Sequence, residues 1–199
     1  RRVLFRSNNR IKKVIIVGGV AGGANAAARL RRLNEALEII VFERGSYVSF
    51  ANCGLPYHIG GEIASRDSLL LNTPETLRKK SNLDVRIKTE VLSINRSEKT
   101  VLVREALTDR EYSESYDVLI LAPGAAPFRP DIEGLDLPEI FTLRSIEDMD
   151  SIIANLRDKT PNRILIVGGG FIGLEMLEQI HSKFSPNGIK LTLVESNPH

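Results

Sequence analysis

The stretch KVIIVGGVAGG, Lys13–Gly23, returns 150 residues later as RILIVGGGFIG, Arg163–Gly173. Val17 then falls on Val167, Gly18 on Gly168 and Gly23 on Gly173. Each copy is a short β-branched run ending in glycines, as expected of a strand that is buried on both faces and stops at a tight turn. A helical stretch follows each, ANAAARLRRLNEA after the first and LEMLEQIHSKF after the second. Their small or apolar positions suit a sheet-facing side and their charged ones an outer side. Then come EIIVFE and IKLTLVE, two apolar strands that each close on an acid. The pattern is β-α-β twice, with a glycine-rich first turn both times.

Such a turn lets the backbone approach a pyrophosphate, whose charge sits among the unpaired N–H groups and positive dipole end of a helix N-terminus. The acid closing the next strand can take the ribose hydroxyls. Glu43 lies twenty residues after Gly23, and Glu195 twenty-two after Gly173; both spacings fit a dinucleotide fingerprint. The second turn is strict, Gly168-x-Gly170-x-x-Gly173, whereas the first has Val20 where the second glycine belongs. Two copies with strand, helix and acid in register predict two dinucleotide sites. The alternative for Glu43 and Glu195 is a pair of solvated carboxylates at strand ends.

Between the repeats, DVRIKTEVLSINRSEKTVLVREAL and REYSESYDVLILAPGAAP read as short strands, several of them antiparallel. Thr73-Pro74-Glu75 opens a helix with Thr as N-cap and Pro at the first helical position. SIEDMDSIIANLRD reads as a helix leading into the second repeat. The predicted fold class is therefore α/β: two Rossmann-like units, the first with an antiparallel β insertion, the second truncated. Residues 8–158 read as the N-terminal portion of the first nucleotide-binding domain and residues 159–199 as the start of the second. RRVLFRS, residues 1–7, reads as a non-native leader and is set aside.

Charge excludes some functions. The chain has 27 Lys and Arg against 25 Asp and Glu, and the leader's three arginines account for the excess. No basic stripe interleaves with aromatics, so nucleic acid is not an expected partner. No apolar run approaches the roughly 18–20 residues that span a bilayer, and no secretory signal is present, so a cytoplasmic protein is expected. A single cysteine, Cys53, permits no internal disulfide.

At this point a resemblance is plain. The chain is similar to the N-terminal part of the pyridine nucleotide-disulfide oxidoreductases, in which the first site holds FAD and the second NAD(P)H. YDVLILAPGAAP, Tyr116–Pro127, resembles that family's strand and glycine turn returning to the flavin. The resemblance implies FAD contacts at Gly18, Gly19, Val20, Ala21, Gly22, Gly23, Glu43, Arg44, Val91, Ala122, Pro123 and Gly124. It implies nicotinamide dinucleotide contacts at Gly168, Gly169, Gly170, Phe171, Ile172, Gly173 and Glu195, with NADH expected and NADPH open. Family members also dimerise through a C-terminal domain, so a homodimer is implied for the full-length protein.

SFANCGLPYHIGG, Ser49–Gly61, holds the lone cysteine. Most of that superfamily uses a C-x4-C pair, but position 58 here is a histidine. The stretch resembles the single-cysteine branch, most closely the coenzyme A-disulfide reductases, which implies that Cys53 is catalytic. Chemistry points the same way: Pro56 with YHIG suggests a short helix starting at Cys53, where dipole and free N–H groups favour the reactive thiolate. One protein sulfur then needs a small-molecule partner, coenzyme A disulfide or a related persulfide. Carried-over substrate contacts are Asn25, Arg29 and Arg32 on the first helix and Ser49 and Asn52 beside the cysteine, with a further contact near Lys80 and Ser81. For Arg31 and Arg32 the alternative is solvated helix-face charge. A rival reading is an NADH oxidase or peroxidase working through a cysteine sulfenate. Peroxidases of this group place a histidine in the first glycine turn where this chain has Ala21, and His58 is more readily structural than a substitute base. A flavin-bound redox sensor without turnover is the remaining rival.

Overall fold

The structure is a computed structural model that describes residues 11–184 and 188–196. The expected leader, residues 1–7, lies outside them. Packing divides the chain into two compact units. One runs up to Phe50 and resumes over Leu70–Gly124; the other takes Ala51–Leu69 and the chain from Ala125 onward.

The first unit is built on β1 (Lys13–Val17), α1 (Ala21–Leu33) and β2 (Glu38–Phe42). After these come α3 (Pro74–Ser81), β3 (Asp84–Arg86) and the strands β4 (Thr89–Asn95), β5 (Thr100–Glu105), β6 (Arg110–Ser115) and β7 (Val118–Leu121). A four-stranded parallel sheet has the order β3-β2-β1-β7, and β4-β5-β6 form an antiparallel sheet. The register pairs Ile15 with Ile40 and Leu119.

Alternation along β1 explains why its whole run is apolar. Val14 and Ile16 join Ala27 of α1, Leu37, Ile39 and Val41 in one buried cluster. Ile15 faces the other way and packs with Ile40, Phe42 and the antiparallel strand's Val101 and Val103. Period two with apolar partners on both sides leaves no polar position on the strand after Lys13. Ile15 and Ile16 are fully buried, and each such side chain contributes about 1.5–3 kcal/mol of transfer free energy. The Asp117 carboxylate accepts the Lys12 and Lys13 N–H groups at 2.7 and 2.8 Å, which ties the start of β1 to the start of β7.

In the second unit, α4 (Ile146–Lys159) leads to β8 (Arg163–Val167), α5 (Phe171–Phe184) and β9 (Lys190–Val194), and β8 and β9 pair in parallel. The α/β class with two Rossmann-like units and an antiparallel insertion is the fold observed. Ser145 starts α4 through a capping box: its Oγ accepts from the Asp148 N–H at 3.2 Å while the Asp148 carboxylate accepts from the Ser145 N–H at 2.9 Å. Replacing Ser145 with alanine is expected to cost about 1 kcal/mol, seen as a lower urea midpoint at unchanged slope, with Ser145→Thr recovering most of it. Thr73 caps α3 with its side chain alone, its Oγ1 accepting from Thr76 N–H at 3.2 Å with Pro74 at the first position.

Candidate functional site

The two glycine turns share one geometry. Gly18 has φ +96° and Gly168 φ +106°. A β-carbon on Gly23 would overlap the Gly18 carbonyl oxygen, and one on Gly173 would overlap that of Gly168. A β-carbon on Gly18 would overlap the Ala122 carbonyl oxygen, because the Ala122 N–H donates to Val17 O at 2.8 Å and draws the end of β7 against the turn. These glycines are required by the backbone's own close approach. Gly170 differs, since a β-carbon there would meet nothing within 4 Å among the described residues. Packing among the described residues does not explain that glycine, and the open space beside it suits a ligand.

Neither helix after these turns has an acidic residue in its first turn, and α1 has no side-chain cap at Val20. Their first N–H groups are left to meet an anion. The acids also correspond. Glu43 directly follows β2, is only 9% exposed, and accepts from Gly19 N–H and Gly45 N–H, each at 2.7 Å. Glu195 directly follows β9 and accepts from Gly169 N–H at 2.6 Å. The solvated alternative for Glu43 is thereby removed: burial with two backbone donors fixes its carboxylate beside the turn. Pro123, Arg44 and Val91 line a small solvent-open cleft with Gly18, Glu43, Val17, Phe42, Thr89 and Glu90. Uncapped helix N-terminus, closely packed glycines and buried acid fit a dinucleotide.

Cys53 is exposed. It sits in a 3-10 turn, Asn52–Gly54, and the helix proper, α2 (Leu55–Gly60), begins two residues later with Gly54 as its N-cap residue. The expected helix start at Cys53 is thus displaced, because Pro56 fits the first turn of a helix beginning at Leu55. Leu55 and Ile59 bury the inner face of α2. Helix α5 holds α2 from the far side of the sequence: Lys183 Nζ donates to the Ile59 carbonyl, and Gln179 Nε2 donates to Glu62 Oε1, both at 2.8 Å. His58 Nδ1 donates to the Ile63 carbonyl oxygen at 2.6 Å, which anchors the ring in its own turn. Sequence reasoning overlooked the charge around Tyr57. The carboxylate of Glu175, then desolvation, then Glu178, Glu62 and Cys53 raise this phenol above its ordinary pKa.

The expected substrate residues fall on several elements. Asn25, Arg29 and Arg32 share one exposed face of α1 at i, i+4 and i+7. Asn25 Nδ2 donates to the Ala21 carbonyl at 2.8 Å, while among the described residues neither Arg29 nor Arg32 has a hydrogen-bond or ion-pair partner. Arg31 is not a solvated charge. Its guanidinium donates to the carbonyls of Ser81, Asn82 and Glu35 at 2.9, 2.7 and 2.6 Å, closing the C-terminal end of α3. That bridge joins the ends of α1 and α3 and so places Arg32 and Lys80 on adjoining ends. Ser49 has φ 51° and its hydroxyl is held by Asn72, a residue that sequence reading passed over.

Among known proteins, the chain is 40% identical over 184 residues to a coenzyme A disulfide reductase of Staphylococcus haemolyticus, covering 92% of this chain and 40% of that protein. The crystal structure of reduced Bacillus anthracis CoADR-RHD superposes with a TM-score of 0.88 at 50% identity, covering 94% of this chain and 33% of that one. An NAD-dependent persulfide reductase from A. fulgidus gives 0.85 at 35% identity, with 91% and 33% covered. The chain therefore spans about two fifths of the curated relative's length. The family model for pyridine nucleotide-disulphide oxidoreductases matches residues 12–199, a span that includes both glycine turns and Cys53, and the chain belongs to that family.

Proposed function

We propose that this chain is the N-terminal portion of a flavoprotein oxidoreductase that passes electrons from NAD(P)H through FAD to Cys53, which reduces coenzyme A disulfide or a related persulfide. The observation that carries the reading is the exposed, lone Cys53 on a tight turn. A thiol placed to be inert would be buried; this one is open to a partner sulfur. The relatives named for coenzyme A disulfide and persulfide support the substrate class.

In this reading, residues 8–158 begin the flavin domain, where Gly18–Gly23, Glu43, Arg44, Val91 and Ala122–Gly124 hold FAD. Residues 159–199 begin the nicotinamide domain, with Gly168–Gly173 and Glu195 as its contacts. Bound FAD supplies the two-electron relay between nicotinamide and sulfur. The Cys53 thiolate attacks one sulfur of the disulfide; the S–S bond breaks, one coenzyme A thiolate leaves, and a Cys53–coenzyme A mixed disulfide remains. Two electrons from the nicotinamide and one proton return it to the thiolate and release the second coenzyme A as thiol. Asn25, Arg29 and Arg32, with Ser49 and Asn52, bind the substrate through its phosphates and polar chain. A reducing, cytoplasmic setting keeps Cys53 available, and the full-length protein is a homodimer. The test is NADH oxidation by the full-length holoenzyme with coenzyme A disulfide, with two thiols counted per NADH. NADH consumption that follows oxygen uptake and ignores the disulfide would transfer the reading to an NADH oxidase.

Glu195 sets the nicotinamide preference. Its carboxylate is fixed against the glycine turn by Gly169 N–H, and a ribose 2′-phosphate there would bring like charges to about 4 Å. That costs roughly 1–4 kcal/mol at effective dielectrics of 80 to 20. NADH is therefore expected to exceed NADPH in kcat/KM by roughly fivefold to several-hundredfold. Glu195→Ala is expected to shrink the ratio toward unity, and an unchanged ratio would show that the discrimination lies elsewhere.

A further inference from the structure

The Ser49 backbone is in the left-handed region, φ 51°, which a β-carbon disfavours and which persists only where the surroundings hold it. Three hydrogen bonds do so. Ser49 N–H donates to the Gly19 carbonyl at 2.9 Å, Leu71 N–H donates to the Ser49 carbonyl at 3.0 Å, and Asn72 Nδ2 donates to Ser49 Oγ at 3.1 Å. The first ties the residue to the glycine turn after β1. The third sets the polarity of the hydroxyl. A serine hydroxyl has one proton to give and two lone pairs to receive. With the Asn72 amide on one lone pair, the proton points elsewhere, and among the described residues nothing accepts it.

The geometry points to Asn72 as a positioning residue: its amide aims the Ser49 O–H at an acceptor oxygen on the coenzyme A moiety of the substrate. The assignment rests on the reading of Ser49 as a substrate contact given above. Asn72 itself touches no substrate, and it acts by fixing which way Ser49 donates. Replacement by aspartate separates this role from simple anchoring of the loop. The carboxylate of Asn72→Asp can still bond Ser49 Oγ, but only by accepting its proton, so the loop stays anchored while the hydroxyl turns away from the substrate.

The experiment is steady-state turnover of coenzyme A disulfide by the full-length holoenzyme as wild type, Asn72→Ala, Asn72→Asp, Ser49→Ala and both double variants. For Asn72→Ala, KM for the disulfide is expected to rise about fivefold with little change in kcat, the size of one net hydrogen bond. Asn72→Asp should raise KM further, while NADH reduces the flavin at the wild-type rate in both. In the Ser49→Ala background either Asn72 substitution should change KM by less than about twofold, which excludes simple repulsion between the new carboxylate and substrate phosphates. Additive effects in the double variants, or an Asn72→Asp enzyme equal to wild type, would overturn the assignment. A wild type that bleaches its flavin with NADH but never reduces coenzyme A disulfide overturns the coenzyme A reading and this assignment together. An active wild type alongside an unaltered Asn72→Ala overturns the assignment alone.

Discussion

Cys53→Ser in the full-length protein is expected to fold, retain FAD and still let NADH bleach the flavin, while reduction of coenzyme A disulfide falls to the uncatalysed background. Serine is close to cysteine in size, and Cys53 is exposed on its 3-10 turn, so the packing of Leu55 and Ile59 beneath it is undisturbed. A hydroxyl has no accessible anionic form near neutral pH and cannot attack sulfur, so the loss is one of chemistry and not of binding. The wild type, reduced and then given one equivalent of the disulfide, should hold one coenzyme A covalently, and a reductant should release the added mass. Undiminished disulfide turnover by the serine variant would make Cys53 a bystander and sink the relay.

Gly23→Ala is expected to be nearly as severe, by a different route. The new β-carbon would overlap the Gly18 carbonyl oxygen, and neither atom can rotate away, because both belong to or adjoin the backbone of the turn. Overpacking in a tight site costs typically about 1–3 kcal/mol and more where backbone must move. The strand β1 and helix α1 would separate, the donors at the N-terminus of α1 would lose their aim, and the protein should purify without flavin and melt at lower temperature. Gly22→Ala is the control. Its β-carbon would sit 3.5 Å from that of Ala122, an ordinary contact, so the variant should melt at the wild-type temperature. Gly170→Ala should behave in a third way: it meets no atom of the described residues within 4 Å, so the fold and flavin persist while KM for NADH rises. Equal stability of the Gly23 and Gly22 variants would contradict the packing argument.

What the sequence by itself determined was the part of the molecule written in short-range order. The repeat at Lys13 and Arg163, the acid after each second strand, the cap at Thr73 and the antiparallel insertion were all legible, because strand period, glycine turns and caps act over a few residues. The place of Cys53 in a loop was legible too, although its turn proved to be 3-10 and the helix starts at Leu55. Only the tertiary structure decided which side chains meet across long separations. It paired Asn72 with Ser49, set Arg31 against the carbonyls of Ser81 and Asn82, and braced α2 with Gln179 and Lys183 from α5. It also separated Gly23, required by the Gly18 carbonyl, from Gly170, which no packing among the described residues explains, though both read alike as fingerprint glycines. The physical reason is that local propensity specifies elements and their ends, whereas the partner of a polar side chain or the neighbour of a missing β-carbon exists only after the elements have packed.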